Sequence, residues 1–74
     1  MSAMRVTVEL FGELRRFLDK GKERLELELD EGDAVADVYR RLGIPWGDIH
    51  GASVNGEWAD TQRRLAEGDR VFLF

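Results

Sequence analysis

His50 is the single histidine of the chain, and Asp48 before it and Ser53 after it complete the residue types of an acyl-transfer triad: nucleophile, base and orienter. All three fall on one loop or strand start, and their spacing supplies no pair of oxyanion donors. The residues are better read as a solvated loop histidine, with a free-standing small hydrolase ranked well behind. Asp30, Glu31, Asp33 and Asp37 crowd carboxylates as a calcium loop does. Their intervals miss the ligand pattern of that loop and its closing glutamate, so they read as a solvated helix entrance. Gly21-Lys22-Glu23 lacks the hydroxyl residue and the upstream glycine of a phosphate-cradling loop, and no G-x-G-x-x-G occurs. Zero cysteines remove thiol nucleophiles, disulfides and thiolate-bound zinc, and are compatible with a reducing cytoplasm. Arg15-Arg16, Arg40-Arg41 and Arg63-Arg64 are three basic pairs that would make an anion patch if they converged; solvated polar faces are the simpler reading. No catalytic, cofactor-binding or metal-binding residue is therefore expected.

The chain that must position any site is short. Seventy-four residues are about half of the roughly 150 typical of a domain, which excludes a two-domain enzyme with an interdomain cleft; residues 1–74 read as one domain. The composition, 43% hydrophobic and 35% charged, is that of a chain with one core. Eleven basic residues against fifteen acidic ones give a net charge of −4, the wrong sign for a domain that lives on nucleic-acid phosphates. Met1-Ser2-Ala3-Met4-Arg5 contains no apolar leader, and no run approaches the roughly 20 apolar residues of a membrane span. A soluble cytoplasmic protein is the expectation.

Residues 4–11 alternate strictly, with Met4, Val6, Val8 and Leu10 on one face and Arg5, Thr7, Glu9 and Phe11 on the other, which predicts a half-buried first strand. Gly12 breaks the pattern, and Leu14, Phe17 and Leu18 return to the core from a helical turn or irregular loop. Asp19-Lys20-Gly21-Lys22 reads as a turn into a second strand over residues 24–30, where Leu25, Leu27 and Leu29 alternate with charges. Asp33 is the expected N-cap of a helix of about ten residues, whose stripe is Val35, Val38, Tyr39 and Leu42 and whose left-handed stop is Gly43. Two glycines and the one proline make residues 44–51 a crossover loop. Asn55-Gly56 predicts a tight hairpin between Ala52-Ser53-Val54 and Glu57-Trp58-Ala59. Residues 60–67 form a loop with Leu65 inward, and residues 70–74 a last strand with Val71 and Leu73 inward.

The order β-β-α-β-β-β gives a two-layer α+β domain, a mixed sheet of about five strands packed on one main helix. A right-handed crossover places the last strand parallel beside the first, between the two hairpins: the β-grasp or ubiquitin-like topology. Strand phase then has a consequence. If Val8, Leu10, Val71 and Leu73 face the helix, Phe11, Phe72 and Phe74 face away together, and Trp58 beside the hairpin turn can join them. A clustered aromatic surface rimmed by charge is the footprint of a protein-protein site. The competing reading is that frayed strand ends or a longer chain cover these rings.

Three segments, Leu10-Phe11-Gly12-Glu13-Leu14-Arg15, Val54-Asn55-Gly56-Glu57 and Leu65-Ala66-Glu67-Gly68-Asp69-Arg70-Val71-Phe72-Leu73-Phe74, carry a resemblance to the ThiS/MoaD sulfur-carrier family over nearly the whole length. Within it the chain resembles most the small subunit of molybdopterin synthase. The resemblance implies a partner-docking face with aromatic residues at positions matching Phe11 and Phe74 and an apolar one matching Trp58. It also implies a non-catalytic carrier subunit. An E1-like adenylating enzyme activates the C-terminal glycine carboxylate of such a carrier, and sulfur replaces the adenylate. The thiocarboxylate then serves a second enzyme, the molybdopterin synthase large subunit or a similar sulfur acceptor. Family members continue past the last strand into a Pro-Pro-containing tail ending in Gly-Gly, whereas this sequence stops at Phe74. An omitted tail, a processed one and a tail-less β-grasp interaction module without sulfur transfer all fit that departure.

Overall fold

The computed structural model describes residues 3–18 and 21–74, so Asp19 and Lys20 of the expected turn lie outside the described residues. Alternation makes β1 (Ala3–Leu10): Met4, Val6, Val8 and Leu10 are buried while Ala3 and Arg5 are exposed. It pairs antiparallel with β2 (Arg24–Asp30), from Ala3 opposite Asp30 to Glu9 opposite Arg24. Between them Gly12–Phe17 forms a 3₁₀ segment; it buries Leu14, and Phe17 and Leu18 pack half-buried against the core. The second half of the chain supplies β3 (Ala52–Val54), β4 (Glu57–Ala59) and β5 (Arg70–Leu73). Strand order in the sheet is β2-β1-β5-β3-β4, with β5 parallel to β1 and every other pair antiparallel. This is the expected β-grasp topology.

One helix, α1 (Val35–Leu42), covers the inner face of the sheet and buries Val35, Val38 and Tyr39, with Leu42 half-buried. It is eight residues long rather than about ten, and Asp33 is not its N-cap. The Asp33 carboxylate instead accepts the Asp30 N–H at 3.0 Å, tightening the turn that leaves β2. Ala34 occupies the cap position, and the Asp37 carboxylate reaches back to its N–H at 2.8 Å. The N–H groups of Val35 and Ala36, orphaned at any helix start, donate to the carbonyls of Arg63 and Thr61, each at 3.0 Å. A loop distant in sequence thus does the work assigned to a side-chain cap. At the other end Gly43 adopts φ 73°, and its N–H and that of Ile44 close the helix on the Arg40 and Tyr39 carbonyls.

The Val54-Asn55-Gly56-Glu57 and Leu65-to-Phe74 segments meet in space. Asn55 at φ 53° and Gly56 at φ 88° make the left-handed hairpin turn. The Asn55 amide donates to Asp69 Oδ1 at 2.9 Å, and its Oδ1 accepts the Arg70 N–H at 2.9 Å. Asp69 Oδ2 accepts the Ala66 N–H at 2.8 Å, and its carbonyl accepts the Thr7 N–H at 2.9 Å. Asn55 and Asp69 thereby latch the β3–β4 hairpin to the start of β5 and to β1.

Two outcomes follow from this packing. Asn55→Ala removes both side-chain bonds and puts a Cβ residue without a local hydrogen bond at positive φ, so it should cost about 2 kcal/mol in urea unfolding. Burial raises the Tyr39 phenol above its ordinary value of 10.0. On raising pH through the unfolded value the unfolded chain loses this proton first, so folding stability should fall there and be unaffected below it. Tyr39 is the one tyrosine, and tyrosinate absorbance of the folded and urea-unfolded chain reads both titrations.

Candidate functional site

The outer face of the sheet carries the candidate site, and strand register builds it. Glu9 lies opposite Phe72, Phe72 opposite Ser53 and Ser53 opposite Trp58, a single row crossing β1, β5, β3 and β4. Val71 and Leu73 are fully buried beneath α1, so Phe72 is turned outward. Backbone pairing continues past the strand ends: the Phe11 N–H donates to the Leu73 carbonyl at 3.1 Å, the Phe74 N–H to the Gly51 carbonyl at 2.9 Å, and the His50 N–H to the Phe74 carbonyl at 2.7 Å. Phe11 and Phe74 are thus fixed beside Phe72 by main chain.

The three phenylalanines named by strand phase form one cluster, and Trp58 joins them. Phe11 stacks on Phe74 with centroids 5.2 Å apart and planes 14° from parallel, and meets Phe72 edge-on at 5.8 Å. Trp58 closes on Phe74 at 5.7 Å. Each such contact contributes about 0.5–1.5 kcal/mol beyond area burial. The cluster remains open to solvent, with Phe11 43%, Phe74 39% and Trp58 78% exposed. Ser53 is 8% exposed in the row between Phe72 and Trp58. Arg70 lies over the Phe72 ring at 5.8 Å and faces Glu9 at 3.6 Å, a charged rim on one side.

Gly51 was missed as a site residue by the sequence reading, which took it for one of several loop glycines. A Cβ on Gly51 would stand 2.7 Å from Cζ3 of Trp58, so the bare backbone is the seat on which the indole rests. The signal present in the sequence is a glycine just before one strand of a hairpin and a large aromatic ring in its partner, the pairing in which a ring covers an unprotected backbone.

Other candidates do not assemble. The Asp48 carboxylate is engaged by the Arg16 guanidinium, Ser53 lies in the aromatic row, and among the described residues no hydrogen bond joins the His50 side chain to either. Of the clustered carboxylates, Asp30 pairs with Arg41 at 3.2 Å and Asp37 with Arg40 at 2.9 Å. Arg63 faces Glu57 at 3.8 Å, so the basic pairs are spread over separate elements beside acidic partners. No helix among the described residues is long and apolar enough to cross a membrane.

Comparison with known proteins agrees with the fold. The fold is that of a ubiquitin-like β-grasp protein of the ThiS/MoaD kind. The model of the Mut7-C ubiquitin family matches residues 3–74, and the chain belongs to that family. A Pyrococcus furiosus structure assigned as molybdopterin converting factor, subunit 1, superposes with TM-score 0.75 at 25% identity, covering 96% of this chain and 95% of that one. Small archaeal modifier protein 1 of Haloferax volcanii superposes with TM-score 0.76 at 22% identity, over 96% of this chain and 95% of that one. A ubiquitin-like protein of Trypanosoma brucei shares the fold at TM-score 0.60 and 15% identity, over 97% of this chain and 93% of its own. No curated protein sequence matches the chain significantly.

Gly51→Ala should displace the Trp58 indole while changing stability by less than about 1 kcal/mol, because the ring is largely in water and contributes little burial. Loss of the nuclear Overhauser contacts between the indole and residue 51, with an unfolding free energy in urea within about 1 kcal/mol of wild type, is the expected result.

Proposed function

We propose that this chain is a sulfur-carrier-type, ubiquitin-like subunit that docks on partner enzymes through Phe11, Trp58, Phe72 and Phe74. The observation that carries the reading is the continuous four-ring cluster at the end of β5. Water-exposed rings held by main-chain bonds and by one another are poised to be covered, since hiding apolar area contributes about 25 cal/mol per Å² and little rotamer freedom is left to lose. Similarity to the Pyrococcus molybdopterin converting factor subunit supports a role of this type. In a gene product that continues beyond Phe74, the tail departs from the middle of the docking face, where a partner bound to the rings receives it.

The partners on this reading are an E1-like adenylating enzyme and a sulfur acceptor such as a molybdopterin synthase large subunit. The carrier's terminal carboxylate attacks the α-phosphate of ATP, releasing pyrophosphate, and sulfide sulfur then displaces AMP to leave a thiocarboxylate. None of this chain's described side chains acts in that chemistry; they hold the two proteins in register.

The full natural gene product is mixed with the E1-like enzyme of the same genome, ATP and a sulfide source. Pyrophosphate release and a mass gain equal to one oxygen-to-sulfur exchange are expected. A gene product without a glycine-ended tail that gives neither would overturn the carrier role and leave a docking module. Binding to the E1-like enzyme, and to a Mut7-C polypeptide, which the family name pairs with this fold, is measured by titration calorimetry. Phe11→Asp or Trp58→Asp should keep the fold and weaken partner binding by about 2–4 kcal/mol, the range for central aromatic anchors.

A further inference from the structure

The turn between β3 and β4 holds a pair of residues that can react with each other. Asn55 is the one asparagine of the sequence, it is followed by Gly56, and no Asp-Gly pair occurs. An asparagine before glycine is open to intramolecular attack, because no Cβ on the glycine shields its backbone nitrogen. A base takes the Gly56 amide proton, and the nitrogen adds to Cγ of Asn55. The Cγ–N bond forms as the Cγ–Nδ2 bond breaks, and ammonia leaves with a proton from water. Water then opens the five-membered imide at either carbonyl, giving aspartate or its β-linked isomer. Nothing is oxidised or reduced, and water is the only reactant consumed.

The fold opposes the first step. Both ends of the Asn55 amide are held by the start of β5: Nδ2 donates to Asp69 Oδ1 at 2.9 Å, and Oδ1 accepts the Arg70 N–H at 2.9 Å. The Asn55 N–H donates to the Arg70 carbonyl at 2.8 Å, which fixes the main chain beside them. Turning Cγ toward the Gly56 nitrogen breaks both side-chain bonds. Asn55 and Gly56 are exposed, so base and water reach the pair once the latch lets go. We propose that Asn55 is a self-modification site whose deamidation is gated by its latch to Asp69 and makes opening of the hairpin permanent. In the aspartate product the Nδ2 donor is gone, and two carboxylates face each other where one hydrogen bond stood. The β-linked isomer adds a main-chain carbon to a two-residue turn whose length sets the hairpin register. Neither product rebuilds the latch, so a transient opening leaves a lasting chemical mark.

The test incubates the full chain at mildly alkaline pH, folded and unfolded in guanidinium chloride. Deamidation is followed by the amide-to-acid mass change at Asn55 and by ion exchange, which separates species carrying the added negative charge. The folded chain should react at least about tenfold more slowly than the unfolded one, since it reacts only while the hairpin is open. Asp69→Ala, checked as folded by circular dichroism, should react about fivefold faster than wild type without denaturant and at the wild-type rate in guanidinium. Val38→Ala, which weakens the core beneath α1 and leaves the latch bonds in place, should react at the wild-type rate without denaturant. Asn55→Asp, the α-linked product, should unfold at a lower urea concentration than wild type. Equal rates in the folded and unfolded wild-type chain overturn the proposal, as does an Asp69→Ala chain no faster than wild type. Equal acceleration by Val38→Ala assigns the protection to the whole fold and overturns it as well. If Asn55→Asp unfolds at the wild-type midpoint, opening is not made permanent and the proposal falls.

Discussion

The parallel pairing of β1 with β5 is the constraint on which the rest of the molecule depends. Val8 lies opposite Val71 and Leu10 opposite Leu73, and all four are buried at 2% exposure or less. Hiding each side chain contributes about 1.5–3 kcal/mol. Slipping either strand by one residue would bury Glu9 or Arg70 and expose the aliphatic set. Glu9 opposite Phe72 is thus forced outward by the residues on either side. The aromatic face is the obligatory reverse of the core, built by the same alternation that folds the chain.

The residues that carry the family resemblance are chiefly structural. Asn55 and Asp69, from segments far apart in sequence, hydrogen-bond each other and fasten the hairpin to β5. Gly68 takes φ 84° in the turn just before β5 and donates its N–H to the Arg5 carbonyl at 2.8 Å. The Arg5 N–H is met in turn by Glu67. Such residues fix where β5 begins and therefore which of its side chains point outward. Kinship read from them concerns the shape of the β-grasp.

Much of this was legible in the sequence because the governing periods are local. The boundaries of β2, β3 and β4, the helix stripe, the Asn55-Gly56 turn and the sidedness of Phe11, Phe72 and Phe74 follow from alternation every second residue or from the helical repeat. What stayed hidden depends on contacts between distant segments. Asp33 has the composition of an N-cap, yet carbonyls of Thr61 and Arg63 occupy the helix amides. Gly51 becomes a seat for Trp58 only when the hairpin is closed.

An exposed aromatic cluster is a hazard to a small protein, because an uncovered apolar face recruits other copies as readily as a partner. The edges of this sheet bear on that hazard. On β4, three residues long, little backbone is available for another strand to pair with. On the longer edge β2, Arg41 reaches from α1 to the Glu28 carbonyl at 3.4 Å, occupying one main-chain acceptor, and to the Asp30 carboxylate at 3.2 Å, and charged side chains alternate along the strand. Lateral growth of the sheet is thereby opposed while its face stays open. Association directed to a face is decided by side-chain complementarity, in which rings and rim charges discriminate; association along an edge is decided by main-chain hydrogen bonds that any extended segment can supply. A short edge, a charged edge and exposed rings together favour association through the face over growth along the edge.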